Sequence, residues 1–294
     1  MLFEQLINGI VVGSMYALIA QGYTLVFGVL DKLNFAHGEV FMLGGFICLS
    51  LVAFGAPLSV AIVVTALVSG LVGVVVEFVG FRKFTSDDGY VTAALSSFVI
   101  GLIIIDLSHK AWGTEPLSLP VSEALQNASV TVLGTKILLT RLMVLVVAFL
   151  VMLALHLVVT RTKLGRQIRA AAESPTNATL LGINVIRVNQ IVFFIASVMA
   201  GVAGVAMALR TGYVSSDVGF TFALKALAII AIGGLGDLRG ALIGGLLVGV
   251  VEALAFAFGL GQLVEMFVWL FMIVVLLVRP SGLFGSTIIR ETRA

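Results

Sequence analysis

Leu6 to Val29 reads LINGIVVGSMYALIAQGYTLVFGV, a stretch without one charged side chain. As a helix rising 1.5 Å per residue it is about 36 Å long. That exceeds the hydrocarbon core of a bilayer, about 30 Å thick. Outward from this stretch the chain keeps the same character. Eight more apolar segments follow, at Val40–Phe54, Leu58–Phe81, Tyr90–Leu107, Ile137–Val159, Val188–Leu209, Phe222–Leu235, Ala241–Leu260 and Leu263–Val278. Val40–Phe54 and Phe222–Leu235 are short and interrupted by glycine, the pattern expected of broken or re-entrant helices. The fold class is therefore all-α. We expect a polytopic transmembrane helical bundle of 8–9 spans, forming one domain over residues 1–294.

Composition agrees. The 294 residues are 60% hydrophobic and 11% charged, with a mean hydropathy of +1.19. Soluble domains have about 45–50% apolar and about 25% charged residues. A net charge of +2 gives no basic footprint, so no nucleic-acid partner is expected. His37, His109 and His156 lie far apart without metal-ligand spacing, and no metal site is expected. The single cysteine, Cys48, falls in an apolar run and reads as a packing residue. Met1 to Ile10 lacks a basic n-region, so the first segment is expected to remain as a span. Gly9, Gly13 and Ala17 form a small-residue stripe, and Gly240, Gly244, Gly245 and Gly249 repeat that spacing, which suits close helix crossing.

Basic residues set the orientation. Arg161, Lys163, Arg166 and Arg169 crowd the loop from about 161 to 187, which is expected in the cytoplasm with the C-terminus. The mixed-charge loop from about 108 to 136 is expected outside, where the run Val130-Thr131-Val132 predicts a short strand or hairpin. Nine full spans put the N-terminus outside and eight put it inside. The inner loop predicts a short helix: Ser174 suits the cap, Pro175 the first helical position and Gly182 the stop. That helix reads either as a lever for a soluble partner or as a solvated connector.

The polar interruption Asp31-Lys32-Leu33-Asn34-Phe35-Ala36-His37-Gly38-Glu39 separates the first two segments. Ionisable groups at membrane depth usually face a cavity or a partner. His37 and Glu39 therefore read either as a helix terminus lining a substrate path or as interfacial caps. Glu77, Asp106, Glu252, Glu265, Lys225 and Arg210 are scattered. A Lys225–Glu pair suits a structural ion pair, and a proton relay is the alternative. Leu30–Gly45 and Leu235–Gly249 both begin with a polar turn and continue into a glycine-rich run, a weak internal repeat. No phosphate loop, nucleophile elbow or HExxH motif is present. Transport fits better than catalysis, with energy from an ion gradient or a partner ATPase.

Four stretches together resemble one family. Leu33-Asn34-Phe35-Ala36-His37-Gly38-Glu39 resembles a signature that follows the first span. Gly165-Arg166-Gln167-Ile168-Arg169-Ala170, with Ala178 and Leu181-Gly182-Ile183-Asn184-Val185, resembles a coupling loop. Ile232-Gly233-Gly234-Leu235-Gly236 with Gly240-Ala241 resembles a glycine-rich turn, and Arg279-Pro280-Ser281-Gly282-Leu283-Phe284-Gly285 a C-terminal end. The family is the LivH-type permease subunit of bacterial branched-chain amino acid ABC importers. The chain departs from it at Asp237 and Arg239, and at Gly45-Phe46.

The resemblance implies a non-enzymatic subunit in the bacterial cytoplasmic (inner) membrane. Its implied partners are a homologous second permease, two ATP-binding subunits and a periplasmic or lipoprotein substrate-binding protein, with lipid around it. ATP and Mg would be bound by the partners, and this chain would hold no cofactor. Arg166, Arg169, Glu173, Ser174, Pro175, Ala178, Leu181 and Gly182 are the expected ATPase-coupling residues. Asn8, Gln21, Tyr23, Asn34, His37, Glu39, Gly233 and Gly234 are the candidate substrate path. The same machine for urea, amides or other amino acids is an alternative. A stand-alone channel or ion-coupled carrier, with essential Glu77 or Glu252, is another.

Overall fold

The computed structural model describes residues 2–84, 89–120, 128–132 and 135–285. The first long apolar run becomes α1 (Leu2–Leu30), which is largely buried at the centre of the bundle. Six further helices are long and apolar enough to cross a membrane, among them α3 (Leu58–Gly80), α4 (Gly89–Trp112) and α5 (Leu139–Arg161). The others are α8 (Val185–Thr211), α10 (Leu238–Ala257) and α11 (Val264–Val278), the last continuous with a 3-10 turn at Gly261–Leu263 that brings its span to 18 residues. Two apolar helices are shorter: α2 (His37–Ala53) and α9 (Val218–Gly233). With these the described residues hold seven long and two short apolar helices, an all-α polytopic bundle. The two short ones arise from the two segments whose length and glycines set them apart.

α1 and α10 pack most extensively, and their small residues explain why. A Cβ added at Gly13 would lie 2.8 Å from Leu246 Cα, and one at Gly245 would lie 2.5 Å from Ala17 N. Gly9 meets Ala253 in the same way. The two stripes therefore face each other within one chain, where dispersion between close backbones supplies the attraction that lipid does not. α2 meets α8 similarly: a Cβ on Gly44 would sit 2.6 Å from Gly201 Cα.

Two small antiparallel pairings close one end. The hairpin expected at Val130–Val132 is present, with β2 (Ser129–Val132) paired to β3 (Thr135–Leu138). β1 (Leu117–Ser118) pairs with β4 (Tyr213–Val214), tying the segment after α4 to the end of α8.

At the opposite end the inner loop holds two helices rather than one. α6 (Lys163–Glu173) starts at Thr162, whose hydroxyl accepts from Gly165 N at 3.0 Å. Its Ile168 and Ala171 are buried against the bundle core. α7 (Pro175–Leu180) follows after a single extended residue, Ser174. A proline disfavours helical geometry in the residue before it and has no N–H to continue the ladder. The break therefore falls at Ser174, and its hydroxyl then caps α7 by accepting from Asn177 N. Gly182, with φ of 80°, ends α7 as expected.

Candidate functional site

The polar interruption does not form a loop outside the bundle. α1 ends at Leu30, and Asp31 turns the chain with a positive φ of 54°. The Lys32 ammonium donates to the Phe84 carbonyl. Residues up to Ala36 then run back along α4, where Ser97 Oγ accepts from Phe35 N at 3.0 Å. Asn34 is buried, and its side-chain oxygen accepts from Ala36 N at 3.2 Å, which shapes this return. α2 therefore begins well inside the bundle. Its first residue, His37, is fully buried with its ring edge-on to Tyr23, centroids 4.6 Å apart. A Cβ on Gly22 would lie 2.7 Å from His37 Nε2, so glycine is needed to seat the ring. From there α2 rises beside α4: Glu39 lies against Gly101, near the middle of α4, and Phe46 stacks on Trp112 at its end.

α9 begins beside the first turns of α2. Gly219 touches the Glu39 carboxylate, and Gly38 touches the Gly219 carbonyl and Ala223. α9 then runs the other way and ends near Gly236, which adjoins Gly28 at the far end of α1. Two short helices thus start halfway along the bundle and diverge, with Glu39 between their N-termini. Helix N-termini carry partial positive charge and unsatisfied N–H groups, so a carboxylate is well placed there. In transporters, half-helices meeting at mid-depth form substrate sites on this principle.

Several buried polar atoms here have no protein partner. Among them are Gln21 Oε1, Tyr23 Oη and Thr24 Oγ1 on α1, and His37 Nδ1 and Nε2 and Glu39 Oε2 on α2. Each such atom costs about 1–3 kcal/mol if it stays dry. Most of the buried unpartnered atoms among the described residues lie on α1 and α2, with Thr65 and Ser69 on α3 and Arg82 Nε beyond it.

The structure brings together four of the expected path residues, Tyr23, His37, Glu39 and Asn34, whose carbonyl accepts from His37 N at 3.2 Å, and separates the rest. Gln21 donates to the Leu238 carbonyl at 3.1 Å and borders another cavity, of about 190 Å³, between α1, α5 and α10. Asn8 lies towards the β-pairing end, where its oxygen accepts from Arg141 Nη1 at 2.5 Å. Gly233 and Gly234 belong to the α9–α10 turn. Gly233 packs on Gly240, and the C-terminal segment adds backbone bonds to this turn, Leu283 N to Ile232 O and Phe284 N to Gly233 O. Asp237 caps α10, accepting from Arg239 N at 2.7 Å and Gly240 N at 2.9 Å. An acid at that position thus serves the turn. The two turns of the weak repeat differ in length: the first runs six residues without helix, 31–36, and the second four, 234–237.

The expected coupling residues divide between two helices. Arg166, Arg169 and Glu173 are exposed on α6, and Arg169 also donates to the Val159 carbonyl. Ser174 and Pro175 open α7, and Leu181 and Gly182 close it. Ala178 is 1% exposed and faces the chain itself, so its small size suits this chain's own packing.

The scattered charges other than Arg210 resolve into ion pairs. Lys225 on α9 bonds Glu252 on α10 at 2.9 Å and Glu265 on α11 at 2.8 Å. Tyr16 donates to Glu252 at 2.9 Å. Glu77 pairs with Arg82, and Asp106 with Lys110. Sequence reading missed Tyr16 and Gly219. Tyr16 carries no signal until its distant partner is known. Gly219 follows Asp217-Val218 at the head of a short apolar segment, which hints at a helix start.

Comparison with known proteins places this geometry. Residues 5–278 match the family described as "Branched-chain amino acid transport system / permease component". The chain is 35% identical to the high-affinity branched-chain amino acid transport system permease protein BraD of Pseudomonas aeruginosa, covering 96% of this chain and 95% of that protein. It is 33% identical to the LivH permease protein of the corresponding Escherichia coli system, with the same coverage. A probable LivH permease protein from Methanocaldococcus jannaschii is 28% identical over 95% of this chain and 91% of its own length. With two shorter apolar helices among its long ones, and matched over nearly all of its length by such relatives, the chain belongs to the permease-component family of branched-chain amino acid transport systems.

Proposed function

We propose that this chain is the membrane-spanning subunit of an ABC importer and passes branched-chain amino acids through a bacterial inner membrane. Its partners are a homologous second permease, two ATP-binding subunits on the cytoplasmic side, and a substrate-binding protein outside. ATP and Mg belong to the ATP-binding subunits. α6, α7 and the C-terminus face the cytoplasm. The substrate passes near Tyr23, His37 and Glu39, where unpartnered polar atoms and helix N-termini suit an ammonium and a carboxylate in transit. Aliphatic walls suit its side chain.

The observation that supports this reading best is the tip of α7. Leu180 and Leu181 are 81% and 79% exposed at the end of a short capped helix outside the apolar helices. Two adjacent leucines there gain by burial in a partner cleft, about 25 cal/mol for each Å² of apolar surface covered. Movement of that partner reaches α1 through Ile168 and Ala171 of α6.

The experiment is co-purification from native membranes combined with Ala178→Pro. Recovery of two ATP-binding subunits and a second permease is expected. Proline at 178 removes the bond from Ala178 N to Ser174 O, 2.9 Å long, and breaks α7. Uptake should fall while ATP hydrolysis by the assembled complex persists and the spans stay folded. Wild-type uptake in this variant would count against α7 as the lever.

A further inference from the structure

A cavity of about 280 Å³ lies between α1, α5, α8 and α10, towards the end that carries the β pairings. Its polar lining comes from Gln5, Asn8, Arg141, Arg210 and Glu252. Val12, Ala253 and Phe256 supply an apolar wall. We propose that this cavity is a subsite for a free α-amino acid, with Arg141 and Arg210 holding the carboxylate. The inference rests on the transport reading above and adds a second station, separate from Tyr23, His37 and Glu39.

Charge pairing carries the argument. Glu252 is already matched: its carboxylate accepts from Tyr16 and from Lys225, whose ammonium also bonds Glu265. Arg141 bonds only a neutral group, the Asn8 amide oxygen, and Arg210 has no ion pair or hydrogen bond among the described residues. Two guanidinium groups from different helices therefore line one cavity whose acidic lining residue, Glu252, is bonded to Tyr16 and Lys225 rather than to them. Guanidinium is the group best matched to a planar carboxylate, which it binds through two parallel bonds. The rest of an amino acid also finds counterparts. The Gln5 amide oxygen and the field of Glu252 suit an ammonium, and an aliphatic side chain suits Val12, Ala253 and Phe256. At about 30 Å³ per water the space equals about nine waters, room enough for an amino acid with an aliphatic side chain. A purely anionic ligand gains the same arginines but brings no cation to the net negative charge of Glu252 and Glu265, which share one lysine.

The test uses the assembled importer in nanodiscs of zwitterionic lipid, with the substrate-binding protein left out. Saturation-transfer NMR with L-leucine reads weak binding directly. Saturable transfer is expected, strongest at the leucine methyl protons, competed by valine and absent for leucinamide. Arg210→Gln and Arg141→Gln should each weaken it about tenfold or more, the effect of losing a charge-assisted contact. Arg210→Lys should restore part of it. Arg210 is exposed near the end of α8, so an unchanged elution profile is expected and checks the fold.

No saturable transfer, or transfer that ignores both arginine variants, overturns the subsite. Equal displacement by inorganic phosphate also overturns it, in favour of a general anion or lipid-headgroup seat. Leucine uptake with the substrate-binding protein restored separates the two claims. Normal uptake beside a failed binding test removes the subsite alone. A wild-type complex that hydrolyses ATP but imports no branched-chain amino acid removes the transport reading, and the subsite with it.

Discussion

Tyr23 and Lys225 are both buried, and their substitution has opposite consequences. The Tyr23 hydroxyl has no protein partner. Tyr23→Phe therefore breaks no protein hydrogen bond, and thermal unfolding in detergent should stay within about 1 kcal/mol of wild type. Uptake should fall if that hydroxyl serves the passing substrate, and unchanged uptake would remove Tyr23 from the path. Lys225 bonds two carboxylates, one of them buried. Lys225→Met leaves Glu252 without its cation and should destabilise the chain by about 3–5 kcal/mol, as breaking buried pairs does. Lys225→Met with Glu252→Gln should cost less than the sum of the two single changes. Additive losses would show that the pair is not coupled. The ion-pair option was legible in the sequence as a lysine and two glutamates in consecutive apolar segments. Which glutamate pairs was not, because both do, and depth within the bundle has no local signal.

At the scale of elements, contacts local in sequence were the readable ones. Ser174, Pro175 and Gly182 act within one helical turn of themselves, and α7 forms where they place it. The existence of α6 as a separate helix follows from the same proline, read one residue further back. The start of α2 was harder. His37, Gly38 and Glu39 look like part of a polar loop, and they become helix because Tyr23, Gly101 and Gly219 surround them. Those neighbours lie far off in the chain. The β1–β4 pairing is likewise invisible, being two residues long on each side. Gly38 gives the matching prediction. A Cβ there would come within 2.6 Å of Ala223 Cβ and closer still to the Gly219 carbonyl. Gly38→Val should force α2 and α9 apart, lowering stability by about 1–3 kcal/mol and abolishing uptake. A fully stable, active G38V chain would show that the two helix ends do not meet.

Across the whole molecule the apolar surface is uneven. α1 is covered on most sides, whereas α11 shows most of its length, with Leu277 and Val278 about three-quarters exposed. Lipid or another membrane subunit must cover such a face. Orientation is the property of the whole chain that a single experiment can settle. Cys48 is fully buried, so the wild-type chain should resist a membrane-impermeant maleimide. Leu180→Cys should label only from the cytoplasmic side, and Tyr213→Cys, at a position 45% exposed, only from the other. Labelling at 180 should also vanish when the ATP-binding subunits are assembled. Both cysteines reacting from one side would refute the placement of α7 and β4 at opposite ends.

The two short helices also bear on how the chain is made. An insertion machine that accepts about twenty apolar residues as a span meets only 17 in α2 and 16 in α9. Neither carries its own passport into lipid. α2 becomes stable there once α1 shelters His37, and α9 once α2 offers Gly38 and Glu39, so synthesis imposes an order on burial. The centre of the bundle is completed only after α10 has closed against α1, late in translation. A lesion near residue 38 should therefore show first as a chain that membrane proteases remove, before any transport is measured.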